Sequence, residues 1–235
     1  MSNAPSPAVA VQMTNYENPK SLGSRMRARR TGPLLKLIQD AHAKHGNVRL
    51  LDVGGRKVYW NILPPDFLAK HNVEITILNL PGELHGTDDD IFKHVAGDAC
   101  NLVEYTDKAF HIAHSNSVIE HVGGWQNVKR FAAEVRRVAS GLFIQTPYYW
   151  FPVEPHFVLP LIHWTPRPIQ ETLVRRLPLG HHKAKEPNLD AAISCIDVAP
   201  RLLDLRAYKL LFPDCMIVKE RFFLMTKSLV AVRQI

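Results

Sequence analysis

Cysteine is scarce in this 235-residue chain, and the three present, Cys100, Cys195 and Cys215, lie far apart. Their odd number and wide spacing offer neither a zinc-ligand motif nor a disulfide framework, which predicts a reducing, cytoplasmic setting. Long apolar runs are missing too. FVLPLIHW (Phe157 to Trp164) falls well short of the roughly 18 residues a membrane span needs. AVAVQM near the N-terminus is too short for a signal peptide and has no basic flank before it. A soluble chain is expected. Glycine stops early: Gly54 and Gly55 are followed by Arg56 and Val58, where a dinucleotide-binding loop would continue as Gly-x-Gly-x-x-Gly. The histidines are scattered and no acidic cluster accompanies them, so no metal is expected.

At 46% hydrophobic residues, the chain is long enough for one sizeable core and one domain. The formal charge is +7, with basic residues bunched in SRMRARR (Ser24 to Arg30), Arg136-Arg137, Arg175-Arg176 and HHKAK (His181 to Lys185). Such runs suit nucleic acid, an anionic lipid surface or a phosphorylated substrate. No aromatic stacking pattern is interleaved with them, so solvated helix and loop faces are the leading reading and nucleic acid is not expected as a partner.

Residues 1–18 are small, polar and dotted with proline, and are expected to be disordered, leaving 19–235 as the folded domain. GPLLKLIQDAHAKHG has Pro33 placed for a helix start, Gly46 for its end, and Leu34, Leu37, Ile38 and Ala41 on one face. Strand-like runs follow at Val48 to Val53, Glu74 to Leu80, Lys93 to Ala96, Phe110 to Ser115 and Leu142 to Thr146. Between the last two, WQNVKRFAAEVRRVA repeats apolar residues at helical spacing. A tail helix, DLRAYKLLFP, precedes two β-rich runs, Met216 to Met225 and Ser228 to Arg233, expected to pair as an antiparallel hairpin about Thr226-Lys227. Alternating strands and helices imply an α/β, doubly wound, mostly parallel sheet. The interval Pro147 to Pro200 is too long for a simple crossover and reads as an insertion after strand five.

In such a sheet a ligand lies beyond the carboxyl ends of the strands, near the point where strand order reverses. LLDVGG ends the first strand there. A turn that is tight at Gly54-Gly55 and bulky immediately after suits a ligand without phosphates. Asn79 then falls about 25 residues past Gly54, where a ribose-binding side chain is expected. Asp98 in AGDA closes strand three with a carboxylate, and Ser115-Asn116-Ser117 ends strand four.

With LDVGG (Leu51 to Gly55), SNSVIEHV (Ser115 to Val122) and the intervening landmarks in this order, the sequence resembles the class I S-adenosylmethionine-dependent methyltransferases, most closely a bacterial branch. The resemblance spans about residues 18–232. It implies a Rossmann-like seven-stranded sheet with the last strand antiparallel, and S-adenosylmethionine as cofactor. It also implies that Asp52, Gly54 and Gly55 lie against the methionine part, Asn79 and Leu80 by the ribose, Asp98 and Ala99 by the adenine, and Ser115 and Asn116 on the pocket floor. A side chain at Gly54 would then intrude on the cofactor and meet a disfavoured φ, with the protein expected to stay folded. Asn79 departs from the acidic residue usual in the family, and an amide binds a diol without charge assistance.

Methyl transfer to an oxygen, nitrogen or carbon needs in-line positioning, and a base only if the nucleophile loses a proton. His121, Glu154 and His156 are the unranked candidates for that base. The aromatic, proline-rich stretch TPYYWFPVEPHFVLPLIHW is expected to form a lid, with Tyr148, Tyr149 and Trp150 at the acceptor. Asn18 to Arg30 is expected to close over the cofactor as a flap, one arginine pairing with the methionine carboxylate. A small-molecule, sugar or lipid-linked acceptor is favoured. A nicotinamide-dependent oxidoreductase and a non-catalytic binding module that docks through the basic N-terminal segment are the rivals.

Overall fold

The computed structural model describes residues 27–84, 86–179 and 185–235. The predicted disorder of residues 1–18 and most of the predicted flap lie outside these. Seven strands form one sheet in the order β3-β2-β1-β4-β5-β9-β8. They are β1 (Val48–Val53), β2 (Val73–Asn79), β3 (Phe92–Ala96), β4 (Phe110–Asn116), β5 (Ala139–Pro147), β8 (Met216–Phe222) and β9 (Met225–Arg233). Strands β1 to β5 pair in parallel, with Leu50 opposite Ile75 and Ile112. β9 runs antiparallel to both β5 and β8. The order reverses between β1 and β4, which puts the switch point at the glycine turn.

Each face of the sheet carries its own core, which is why the central strands are apolar on successive residues. Helix α1 (Gly32–His45) lays Leu34, Leu37, Ile38 and Ala41 on Val48, Leu50, Ile75 and Phe143. The helix closes on Gly46, left-handed at φ 76°. Tyr59 and Trp60, from a 3-10 turn at Lys57–Ile62, complete that face, followed by the single-turn α2 (Phe67–Lys70). On the other face α3 (Trp125–Val138) packs Val128, Phe131, Val135 and Val138 against Leu51, Val53 and Ile144.

The alternation of strands and helices is less regular than expected. Among the described residues, no helix forms between β2 and β3 or between β3 and β4. The β2–β3 connection is rich in turn formers, Pro81, Gly82, Asp88 and Asp89 among them. The tail hairpin forms, but it turns at Phe223-Leu224 and not at Thr226-Lys227. β9 is bonded on both sides, reaching Ser228 opposite Pro147 and Glu220, so Thr226 is already in the strand.

The insertion has a core of its own. Two-residue strands β6 (Val153–Glu154) and β7 (Leu159–Pro160), a 3-10 turn at Ile162–Trp164, α4 (Arg167–Arg176) and α5 (Leu189–Asp197) gather Phe157, Ile162, Val174, Leu179, Ala192, Cys195 and Ile196. A bridge from Tyr148 to Leu203 ties its two ends together. Helix α6 (Leu205–Leu211) starts on an Asp204 cap, whose carboxylate accepts from Ala207 N–H, and returns the chain to the sheet. There Tyr208 O–H donates to the carbonyl of Ile144 at 2.6 Å. The Arg136-Arg137 bunch is answered by acids: Arg136 meets Asp214, and Arg137 meets Glu134 and Asp107. Among the described residues no helix is long and apolar enough to cross a membrane.

Candidate functional site

The glycine turn is built from beneath by Asp52. Its side chain is wholly buried, accepting from Trp60 Nε1–H at 2.8 Å and from His114 Nδ1–H at 2.7 Å. A Cβ on Gly55 would fall 1.9 Å from Asp52 Oδ2, so only glycine lets the carboxylate lie under the turn. Gly54 has φ +67°, and a Cβ there would lie 2.5 Å from a Val118 methyl. The left-handed φ at Gly54 is as expected, but the expectation that the fold tolerates a side chain there is corrected, because it would also displace Val118. Asp52 lies behind the turn, with both oxygens engaged inside the protein, where it sets the shape of the turn.

Around the turn the carboxyl rim is contiguous. Gly54 N–H donates to Leu78 O at 2.7 Å and Gly97 N–H to Asn79 O at 2.8 Å, so the ends of β1, β2 and β3 meet edge to edge. Asn79 Nδ2 donates to Gly55 O at 3.0 Å, tying the second strand to the turn. Gly54, Leu80 and Asp98 are exposed along this rim, with Ala99 buried behind them. One Asp98 oxygen accepts from Cys100 N–H at 2.8 Å. Ser115 is buried and donates to Val53 O at 3.2 Å, so it supports the floor. Asn116 Oδ1 accepts from Arg30 Nη2, and Arg30 Nη1 reaches Glu220 Oε2 at 2.7 Å. Of the predicted flap only Arg27 to Arg30 is described, and Arg30 is clamped across the ends of β4 and β8.

The three candidate bases are brought together. His121 sits in a 3-10 turn (Ile119–His121) just after β4; Glu154 and His156 come from the insertion, more than thirty residues later. Glu154 Oε1 accepts from His156 Nδ1–H at 2.6 Å, and Glu154 Oε2 accepts from His156 N–H at 2.7 Å. The opposite ring nitrogen, His156 Nε2, lies 3.1 Å from His121 Nε2. Burial, with the neighbouring His156, pushes the His121 imidazole down to about 4, which outweighs the opposite pull of Glu154.

Beside this pair is Glu120, not expected at the site although it stands next to His121 in SNSVIEHV. It is 1% exposed, and burial pushes its carboxyl up to about 7. Oε2 accepts from Thr146 Oγ1–H at 3.0 Å, while Oε1 has no hydrogen-bond partner among the described residues. Ligand atoms of Glu120, His121 and His156 all lie within 4.8 Å of one another. The scattering of histidines that argued against a metal is thus a property of the sequence, undone by the fold at this point.

Tyr149, Glu154, His163, Gln170 and Arg201 contribute to a cavity of about 340 Å³ inside the insertion. The Tyr149 carbonyl accepts from His163 Nε2–H and Trp164 Nε1–H, which packs the aromatic stretch on itself. Tyr148 is fixed at the neck of the insertion, and Trp150 is exposed, packed on Tyr149 and Trp164. Of the three aromatics expected at the acceptor, only Tyr149 lines this cavity.

No family model matches the chain, and no curated protein matches its sequence. Solved structures do share its fold. The PH0226 protein from Pyrococcus horikoshii is 14% identical with a TM-score of 0.50, each chain covered over 95% of its length. The CurJ carbon methyltransferase is 11% identical with a TM-score of 0.51, covering 96% of this chain and 60% of that one. A protein from Rhodobacter sphaeroides described as a candidate zinc-dependent alcohol dehydrogenase is 10% identical with a TM-score of 0.50, covering 80% of this chain and 84% of that one. The chain has a Rossmann-like α/β fold, a seven-stranded sheet with its last strand antiparallel. At these identities the likeness concerns the fold alone.

Proposed function

We propose that the chain binds S-adenosylmethionine at the carboxyl rim of β1 to β4 and catalyses methyl transfer to an oxygen, nitrogen or carbon of a small-molecule, sugar or lipid-linked acceptor. The observation that carries this reading is the junction at the end of β4. Four residues after Asn116, on the cofactor rim, the chain reaches Glu120 and His121, and the insertion meets them there with Glu154 and His156.

The rim groups fit the cofactor. Exposed Asp98 is placed to accept from the adenine amine, Asn79 to face the ribose, and Gly54 and Gly55 to let the methionine part approach the backbone. Asp52 acts through the turn. Arg30, already bonded to Asn116, closes the rim from the N-terminal side, where its guanidinium also suits the methionine carboxylate. Bound S-adenosylmethionine supplies a methyl group made electrophilic by the sulfonium. The chain's contribution is in-line positioning and exclusion of water by the aromatic insertion. His156, oriented by Glu154, turns Nε2 toward His121, and this pair is the polar end of the acceptor site.

Calorimetric titration should show binding of S-adenosylmethionine and none of NAD; NAD binding alone would favour the oxidoreductase. With an acceptor in hand, Glu154→Gln should lower kcat while cofactor affinity stays unchanged. Normal turnover in that variant would remove the insertion from the active site.

A further inference from the structure

We infer that Glu120, His121 and His156 form a binding site for a divalent first-row transition ion, of the kind that accepts imidazole and carboxylate ligands. The site stands on these side chains alone and does not depend on the methyl-transfer reading. Two imidazoles present the same type of nitrogen to each other: His156 Nε2 and His121 Nε2 are 3.1 Å apart, with the ring planes at 79°. Metal–nitrogen bonds of about 2.0–2.1 Å put neighbouring ligands roughly 2.9 Å apart in an octahedral set and about 3.3 Å apart in a tetrahedral one. The observed spacing falls between these.

The groups behind the pair are those a metal-binding histidine uses. Glu154 accepts from His156 Nδ1–H at 2.6 Å, which fixes the tautomer with its lone pair on Nε2. Glu154 is itself held by the backbone N–H groups of His156 and Phe157. The third ligand is Glu120, 1% exposed, with Oε1 unpartnered among the described residues and a carboxylate oxygen within 4.8 Å of a ring nitrogen of each histidine. A buried carboxylate oxygen with no donor is costly unless a cation or a proton satisfies it. A shift of roughly 1.5 Å by the carboxylate would bring all three ligands to bonding distance of one ion. Three protein ligands leave at least one coordination position open, as in catalytic rather than structural sites.

The test uses the full chain, freed of metal with chelator and titrated with Zn²⁺ by calorimetry. A separate metal-free sample is titrated with Co²⁺ to read coordination number from its visible absorption. One equivalent should bind, with cobalt bands of four- or five-coordinate nitrogen and oxygen ligation. The double variant His121→Gln/His156→Gln should lose that equivalent. Glu154→Gln should weaken it by about 10- to 100-fold through the orienting hydrogen bond. His181→Ala/His182→Ala, which removes the adjacent histidine pair of the basic run, should keep it. Circular dichroism and S-adenosylmethionine affinity should be unchanged in all of these variants, separating loss of the ion from loss of the fold or of cofactor binding. No binding by the wild type, or an equivalent retained by the His121→Gln/His156→Gln variant, would overturn the proposal.

Discussion

A methyl group at Gly55 has nowhere to go. It would lie 1.9 Å from Asp52 Oδ2, 2.2 Å from Cγ and 2.5 Å from Oδ1, against ordinary contact at about 3.5 Å. The carboxylate would have to retreat by about 1.5 Å. Its hydrogen bonds to Trp60 and His114 are 2.8 and 2.7 Å long, and a retreat of that size breaks both. Each buried donor left without a partner costs about 1–3 kcal/mol, so Gly55→Ala should destabilise by about 2–6 kcal/mol. Against a total stability of about 5–15 kcal/mol, that is a large fraction. Gly55 is not in the left-handed region, so the loss comes from the clash and not from the backbone. Asp52→Ala should cost a similar amount, because it orphans the same two donors. With the carboxylate already gone, the methyl at position 55 meets little, and adding Gly55→Ala to Asp52→Ala should cost less than about 1 kcal/mol. Urea unfolding of the wild type, both single variants and the double variant measures this. A coupling of about 1 kcal/mol or more is expected. Additive costs, within about 0.5 kcal/mol, would refute the account of the glycine turn as a lid fitted to Asp52.

Asp98→Ala should weaken S-adenosylmethionine binding by about 1.5–3 kcal/mol, the range for a hydrogen bond to a charged group, with the unfolding midpoint little changed. Unchanged affinity by calorimetry would remove Asp98 from the cofactor site. Glu220 gives a pH signature: burial pushes its carboxyl up, but the Arg30 guanidinium and the Ser228 hydroxyl outweigh that and hold it below the ordinary 4.5. A depressed folded value means that the stabilisation is complete above about pH 4.5 and is lost as acid protonates the folded carboxyl. Arg30→Gln should be less stable at pH 7 and should lose less stability on acidification than the wild type. Parallel pH profiles in denaturant unfolding would show that the Arg30–Glu220 pair does not stabilise the fold.

Features that depend on local pattern are legible in the chain. The near-continuous apolar run of β1 marks a strand buried on both faces, and the spacing of Val128, Phe131, Val135 and Val138 marks one helical face against it. Gly46 closes α1 as read, because a left-handed residue after a helix favours glycine wherever the helix packs. The helices of the insertion are not legible in the sequence: α4 and α5 are short, and their apolar residues answer to a local core rather than to the sheet. The direction in which Asp52 faces is set by packing between segments. Its partners, Trp60 and His114, come from a 3-10 turn and a neighbouring strand, and no spacing within LDVGG encodes them. The same holds for the polar cluster. His121 and His156 are 35 residues apart, and their 3.1 Å separation depends on the insertion folding back onto the end of β4. Chain order places residues along a strand or a helix face, but a contact between two segments is set by how their buried faces pack, and that packing exists only once the chain has folded.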